Sequence, residues 1–172
     1  MLKRLGGAKM NHIIVYHGGT QKIEHPLCNI GRKNLDFGQG FYVTDIKSQA
    51  EEWAIRMSLR RNEKPLINRY LLNKEAFILK SKTLIFEKYD RHWLEFIVNS
   101  RKELNPAKDY DYIEGGVAND RVIDTVNLYM LGLMDLDTAL KRLSEHRPNN
   151  QICLLNQELT DKYLIYDGTE KL

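Results

Sequence analysis

Two short stretches hold the residues best suited to chemistry. His17-Gly18-Gly19 closes an apolar run, and Gly38-Gln39-Gly40-Phe41-Tyr42 follows a polar loop. The glycines allow a flat ligand to approach the main chain, which a Cβ would obstruct. A histidine nitrogen held at a fixed position can bind a hydroxyl, and a tyrosine offers an aromatic face for stacking. Taken singly, each also has an ordinary use, His17 as a satisfied strand-end residue and Tyr42 as core. A second cluster joins Glu114-Gly115-Gly116 to Asn119-Asp120-Arg121. A carboxylate and an arginine beside a glycine turn can contact phosphates or substrate at a helix N-terminus. Simple capping by Asn119 explains the same residues. Arg32, Lys33 and Asn34 form a basic loop that either meets phosphates or is solvated.

The order and wording of these motifs carry a resemblance. YHGG, then RKNLDFGQGFYVT, then IEGGVANDRVIDTVNLY and NNQICLLNQ resemble the ADP-ribosyltransferase superfamily. Within it they look most like a bacterial branch known only as domain-of-unknown-function family 3990, from His12 to about Tyr166. In that superfamily a first strand carries the His, and a second the Tyr, of a His-Tyr-Glu set. The resemblance implies that NAD is the substrate and that no metal is needed. Tyr42 would stack on the nicotinamide, the Gly18 main chain would pair with the carboxamide, and His17 would hold a ribose hydroxyl. His17 and Tyr42 are therefore expected to line one cleft. Gly40, Arg32, Asn34 and Asp120 complete the implied NAD-binding set.

The third member departs from the pattern. Gln151 stands where the catalytic Glu is expected. A glutamine keeps the length and can bind a hydroxyl, but it carries no charge and cannot act as a base. Two functions follow from the resemblance. One is NAD-dependent mono-ADP-ribosyl transfer to a macromolecule, as a bacterial toxin component beside a small neutralising partner protein. The alternative is a catalytically inactive pseudoenzyme that binds NAD or a protein partner.

The elements that must position these residues read as α+β. The resemblance implies a split β core, mostly antiparallel, with inserted helices. Short apolar runs predict strands over HIIVYHGGT, FYV, PLINRYLLN, YDYIEGG, QICLLN and YLIYDG, with one or two more in FILKSKTLIFE. Three- and four-residue spacing predicts helices over 45–61, 89–103, the stretch after Asp120, and 136–143. Thr44 or Asp45 is expected to cap the first, and Trp53, Phe96, Val126 and Leu154 to be buried. The length, 172 residues, suits one domain over 11–172. Residues 1–10 read either as non-native sequence before a start at Met10 or as a genuine flexible basic tail. A net charge of +3 is too small to argue for nucleic acid. Two cysteines without metal or disulfide spacing and no apolar membrane-length run lead to an expected cytoplasmic location.

Overall fold

The computed structural model describes residues 11–172, so the expectation about residues 1–10 lies outside the described residues. The fold is α+β, built on two sheets. Strands β1 (Ile13–Gly19), β3 (Leu66–Leu72) and β7 (Leu164–Lys171) form the first, in the order β1-β3-β7 and antiparallel throughout. Strands β2 (Phe41–Val43), β6 (Gln151–Leu154), β5 (Tyr112–Gly115) and β4 (Thr83–Ile85) form the second, in the order β2-β6-β5-β4. Only β4 and β5 run parallel. Among the described residues a single isolated bridge, between Tyr16 and Thr44, joins the sheets.

Alternation sorts the side chains of the four-stranded sheet. Phe41, Val43, Ile152, Leu154 and Tyr112 pack with Val15 and Tyr70 in a core between the sheets. Cys153 and Ile113 face the other way, into a core with Trp93, Phe96 and Val126. Tyr42 packs against that second core, as a residue between Phe41 and Val43 must when successive side chains change face. Gln151 pairs with Gly115, two residues before Cys153, and therefore shares the Tyr42 face.

The helices are α1 (Lys47–Arg61), α2 (Lys74–Leu79), α3 (Arg91–Arg101), α4 (Ile123–Met130), α5 (Leu136–Ser144) and α6 (Gln157–Tyr163). Helix α2 replaces part of the β structure expected in FILKSKTLIFE. Asn73 accepts a hydrogen bond from the Ala76 N–H, and this cap turns an apolar run into a helix. Helix α1 begins at Lys47 without a side-chain cap. The Thr44 hydroxyl accepts from the Ile46 N–H just ahead of the helix and donates to the Asn150 carbonyl, and so does not reach the N–H groups of the first turn. Phe96, Val126 and Leu154 are buried as expected, but Trp53 is only half-buried. The reason is Gly18: a Cβ there would run into the Ala50 carbonyl. Its absence lets α1 settle onto β1 through Ala50 and Ala54, leaving the indole on the flank.

Candidate functional site

The split between the sheets opens beside His17. Tyr16 and Thr44 exchange both main-chain hydrogen bonds, at 2.8 and 2.9 Å. In that antiparallel register the next such pair is Gly18 with Tyr42. The Tyr42 carbonyl instead accepts from His17 Nδ1, at 2.7 Å. The imidazole thus takes the place of the next rung, and the strands part. The N–H and C=O of Gly18 project from the same edge of β1 as those of Tyr16, into the opening.

A carbonyl only accepts, so Nδ1 carries the proton and Nε2 is left with its lone pair. Burial lowers the pKa of His17, against a smaller upward pull from the Tyr42 carbonyl. Both effects act on a neutral ring that stacks on Phe41, with centroids 4.7 Å apart.

Tyr42 is placed otherwise than the one-cleft expectation had it. Its ring lies on the opposite side of β2 from Phe41, the residue His17 stacks on. The two motif residues meet through the main chain. The Tyr42 hydroxyl donates to the Gly38 carbonyl at 2.5 Å and accepts from the Phe37 N–H at 3.1 Å. Burial holds the phenol protonated, pushing its pKa well up. The hydroxyl is thus spent on the turn before β2, and the ring packs against the core on the far face of the four-stranded sheet.

Gln151 lies on the same face as Tyr42, 3% exposed, and its Nε2 is buried with no hydrogen-bond partner among the described residues. An unmade bond at a buried amide costs about 1–3 kcal/mol. Gln49 on α1 adds a second orphan. Its Nε2 donates to the Asn150 carbonyl at 2.7 Å, while its buried Oε1 has no partner among the described residues. A donor and an acceptor are thus both unmet beside the strand that opens with Gln151. These atoms and the freed Gly18 edge are hydrogen-bonding groups left unmet by the described residues.

The remaining expected NAD contacts are dispersed. Gly40 serves packing, since a Cβ there would strike the Cys153 sulfur and the Leu154 carbonyl. Arg32 and Asn34 are exposed on the loop before β2. Asp120 is exposed and ion-paired with Arg56 of α1 at 2.7 Å.

A cavity of about 420 Å³ adjoins the site without being lined by His17, Tyr42 or Gln151. It begins one residue from Thr44 and Gln151, at Asp45 and Asn150, and continues along Glu87, Glu114 and Gly116. Glu114 is 8% exposed. It is held by Lys74 at 2.8 Å, by the Tyr112 hydroxyl at 2.6 Å and by Asn150 Nδ2 at 3.0 Å. The same Asn150 amide donates to Asp45 at 3.0 Å. Asn150 therefore ties β6 to β2, β5 and α1, a role that only its place at the polar head of a buried strand hinted at. Among the described residues no group of His, Cys, Asp or Glu could hold a metal ion. No helix among them is long and apolar enough to cross a membrane.

With this geometry in view, comparison with known proteins gives one match. Residues 13–166 match the family described as "Protein of unknown function (DUF3990)". The chain belongs to the DUF3990 family. No curated protein and no solved structure matches it. The DUF3990 match spans every strand from β1 to β6 and most of the residues discussed above.

Proposed function

We propose that this DUF3990 chain binds NAD at the split between its sheets and transfers ADP-ribose to a macromolecule, as an ADP-ribosyltransferase-like protein. The observation that carries the reading is Gln151, a buried carboxamide with an unmet donor, on the Tyr42 face and at the strand head where the superfamily pattern has its glutamate. Bound NAD supplies a leaving group, nicotinamide, and a ribose carbon to be transferred. In the overall exchange the bond from that carbon to the ring nitrogen breaks, a bond to the acceptor forms, and the acceptor's proton is released.

The chain's own residues orient and exclude. The Gly18 main-chain pair binds the carboxamide from the edge that His17 holds open. The Tyr42 ring backs β2 in the core and its hydroxyl fixes the turn at Gly38, which steadies the carbonyl that His17 engages. Gln151 Nε2 donates to a ribose hydroxyl, fixing the sugar without taking a proton. The carboxylates of Asp45, Glu87 and Glu114 line the neighbouring cavity and favour positive charge there. The role of toxin component with a neutralising partner rests on the resemblance alone.

Gln151 also favours a second reading, NAD binding without transfer, because an amide lacks the charge that stabilises a developing cation. Calorimetric titration with NAD and a nicotinamide-release assay on the native protein, Gln151→Glu and Gln151→Ala separate the two. Release by the native protein that is lost in Gln151→Ala supports transfer. Binding by the native protein, with release only in Gln151→Glu, supports the non-catalytic reading. Absence of NAD binding by the folded native protein overturns both.

A further inference from the structure

A second cavity, of about 290 Å³, lies between the segment that precedes α4 and the segment that follows α5. It is lined by Asn119, Arg121, Val122, Glu145, His146 and Arg147. Its size is near the lower end of ordinary ligand pockets, about 300–1,000 Å³, enough for a phosphate group with part of a sugar. We propose that this cavity binds the pyrophosphate of a dinucleotide, with Arg121 and Arg147 as its ligands.

Charge is the first support. Among the described residues neither Arg121 nor Arg147 is within ion-pairing distance of a carboxylate, as is also true of Arg32, Arg60, Arg61 and Arg142, but only Arg121 and Arg147 share a cavity. Glu145 lines the same cavity and leaves the two guanidinium groups in excess. Two forked, unpaired guanidinium groups on one cavity match a phosphate better than any neutral or cationic ligand.

The second support is preorganisation. Asn149 Oδ1 accepts from the Val117 N–H at 2.8 Å and from the Tyr89 hydroxyl at 3.2 Å. That hydroxyl also reaches the Val117 carbonyl, at 2.8 Å. The two arginine-bearing segments are thereby tied together beside the cavity. Helix α4 starts at its rim, with Val122 at the cap position and no side-chain cap. Asn119 takes up part of that end, its carbonyl accepting from Ile123 and its side chain from Arg121 N–H. Asp124 in the first turn opposes the helix end, so the arginines carry the recognition.

The third support is the neighbour across the tied segments. Pro148, Asn149 and Asn150 line the acidic cavity, while Glu145, His146 and Arg147 line the basic one. The acidic wall beside the proposed nicotinamide site and the basic cavity are thus joined by one short segment, which suits a ligand whose cationic end is followed by an anionic pyrophosphate. This choice of dinucleotide rests on the proposed function; the anion site itself does not.

Isothermal titration of the full chain tests both parts, first with inorganic pyrophosphate alone and then with NAD. The variants are Arg121→Gln/Arg147→Gln, an Arg60→Gln control on α1, and Gln151→Ala, each checked by melting temperature. Loss of two charge-assisted contacts should weaken pyrophosphate and NAD by about tenfold or more in the double variant, with Arg60→Gln unchanged. Gln151→Ala should lose NAD and keep pyrophosphate. No saturable pyrophosphate binding, or equal binding by a folded double variant, overturns the site. Pyrophosphate binding that the double variant loses, without NAD binding by the native protein, overturns the dinucleotide assignment and points to another phosphate ester.

Discussion

His17 donates from Nδ1 to the main-chain carbonyl of Tyr42 at 2.7 Å, and so fills the position of a β rung. One side chain thereby does two things. It ends the join between the two sheets after the Tyr16–Thr44 bridge, and it leaves the main-chain pair of Gly18 without its partner in the register. The histidine and tyrosine of the two motifs are coupled, but through a carbonyl rather than across a shared cleft.

The first prediction concerns pH. Burial lowers the His17 pKa in the folded protein, so below the ordinary histidine value of about 6.5 the unfolded chain binds a proton that the fold resists. Stability from neutral His17 is therefore full above that value and falls as pH drops through it. Urea unfolding of the native protein and His17→Gln at pH 7.5 and 5.5 should show the native advantage shrinking at the lower pH. A growing advantage would mean that the folded ring is charged.

Removing the wedge should let the sheets close. In His17→Ala the Tyr42 carbonyl becomes available to the Gly18 N–H, the partner that the register assigns it. Amide hydrogen exchange at Gly18 should slow relative to the native protein, and NAD affinity should fall. Faster exchange at Gly18 would show that the imidazole supports the strand rather than parting it.

Two ion pairs of the aspartates near the site should behave differently. Asp36 accepts from Arg101 at 2.8 Å, with the two side chains 13% and 19% exposed, and its other oxygen receives the Ala118 N–H. Asp36→Ala strands a buried guanidinium and should cost about 3–5 kcal/mol in chemical denaturation. Asp120 is 77% exposed beside Arg56, and Asp120→Ala should stay within about 1 kcal/mol. Equal losses would contradict this reading of their burial.

Much of this was legible in the sequence, for a physical reason. Short apolar runs such as QICL can be buried only as strands here, and the alternation of Phe41, Tyr42 and Val43 assigns their faces. Gln151 at the head of a buried strand was visible for the same reason. The wedge was not, because it depends on a register fixed by Tyr16 and Thr44, which are distant in the chain. Trp53 misled because helical spacing cannot reveal that Gly18 draws α1 in at Ala50. The two cavities are walled by the irregular segment from Glu145 to Asn150, where no periodicity exists to read.

The last prediction separates a ligand-binding Gln151 from a structural one. A buried polar group with its bonds made stabilises a fold, and replacing it with an apolar residue of similar length lowers stability. Gln151 Nε2 has no such bond, so Gln151→Met removes an unmet donor and keeps the volume. Stability should be unchanged or higher by about 1 kcal/mol in urea unfolding. If the amide serves a ribose hydroxyl, NAD affinity should fall in the same variant by about tenfold, the equivalent of one lost hydrogen bond at roughly 1.4 kcal/mol. The opposed signs are the test, since a core residue of purely structural value would move stability down and leave binding to follow it. A variant less stable than the native protein, or one that binds NAD equally well, would remove Gln151 from the site.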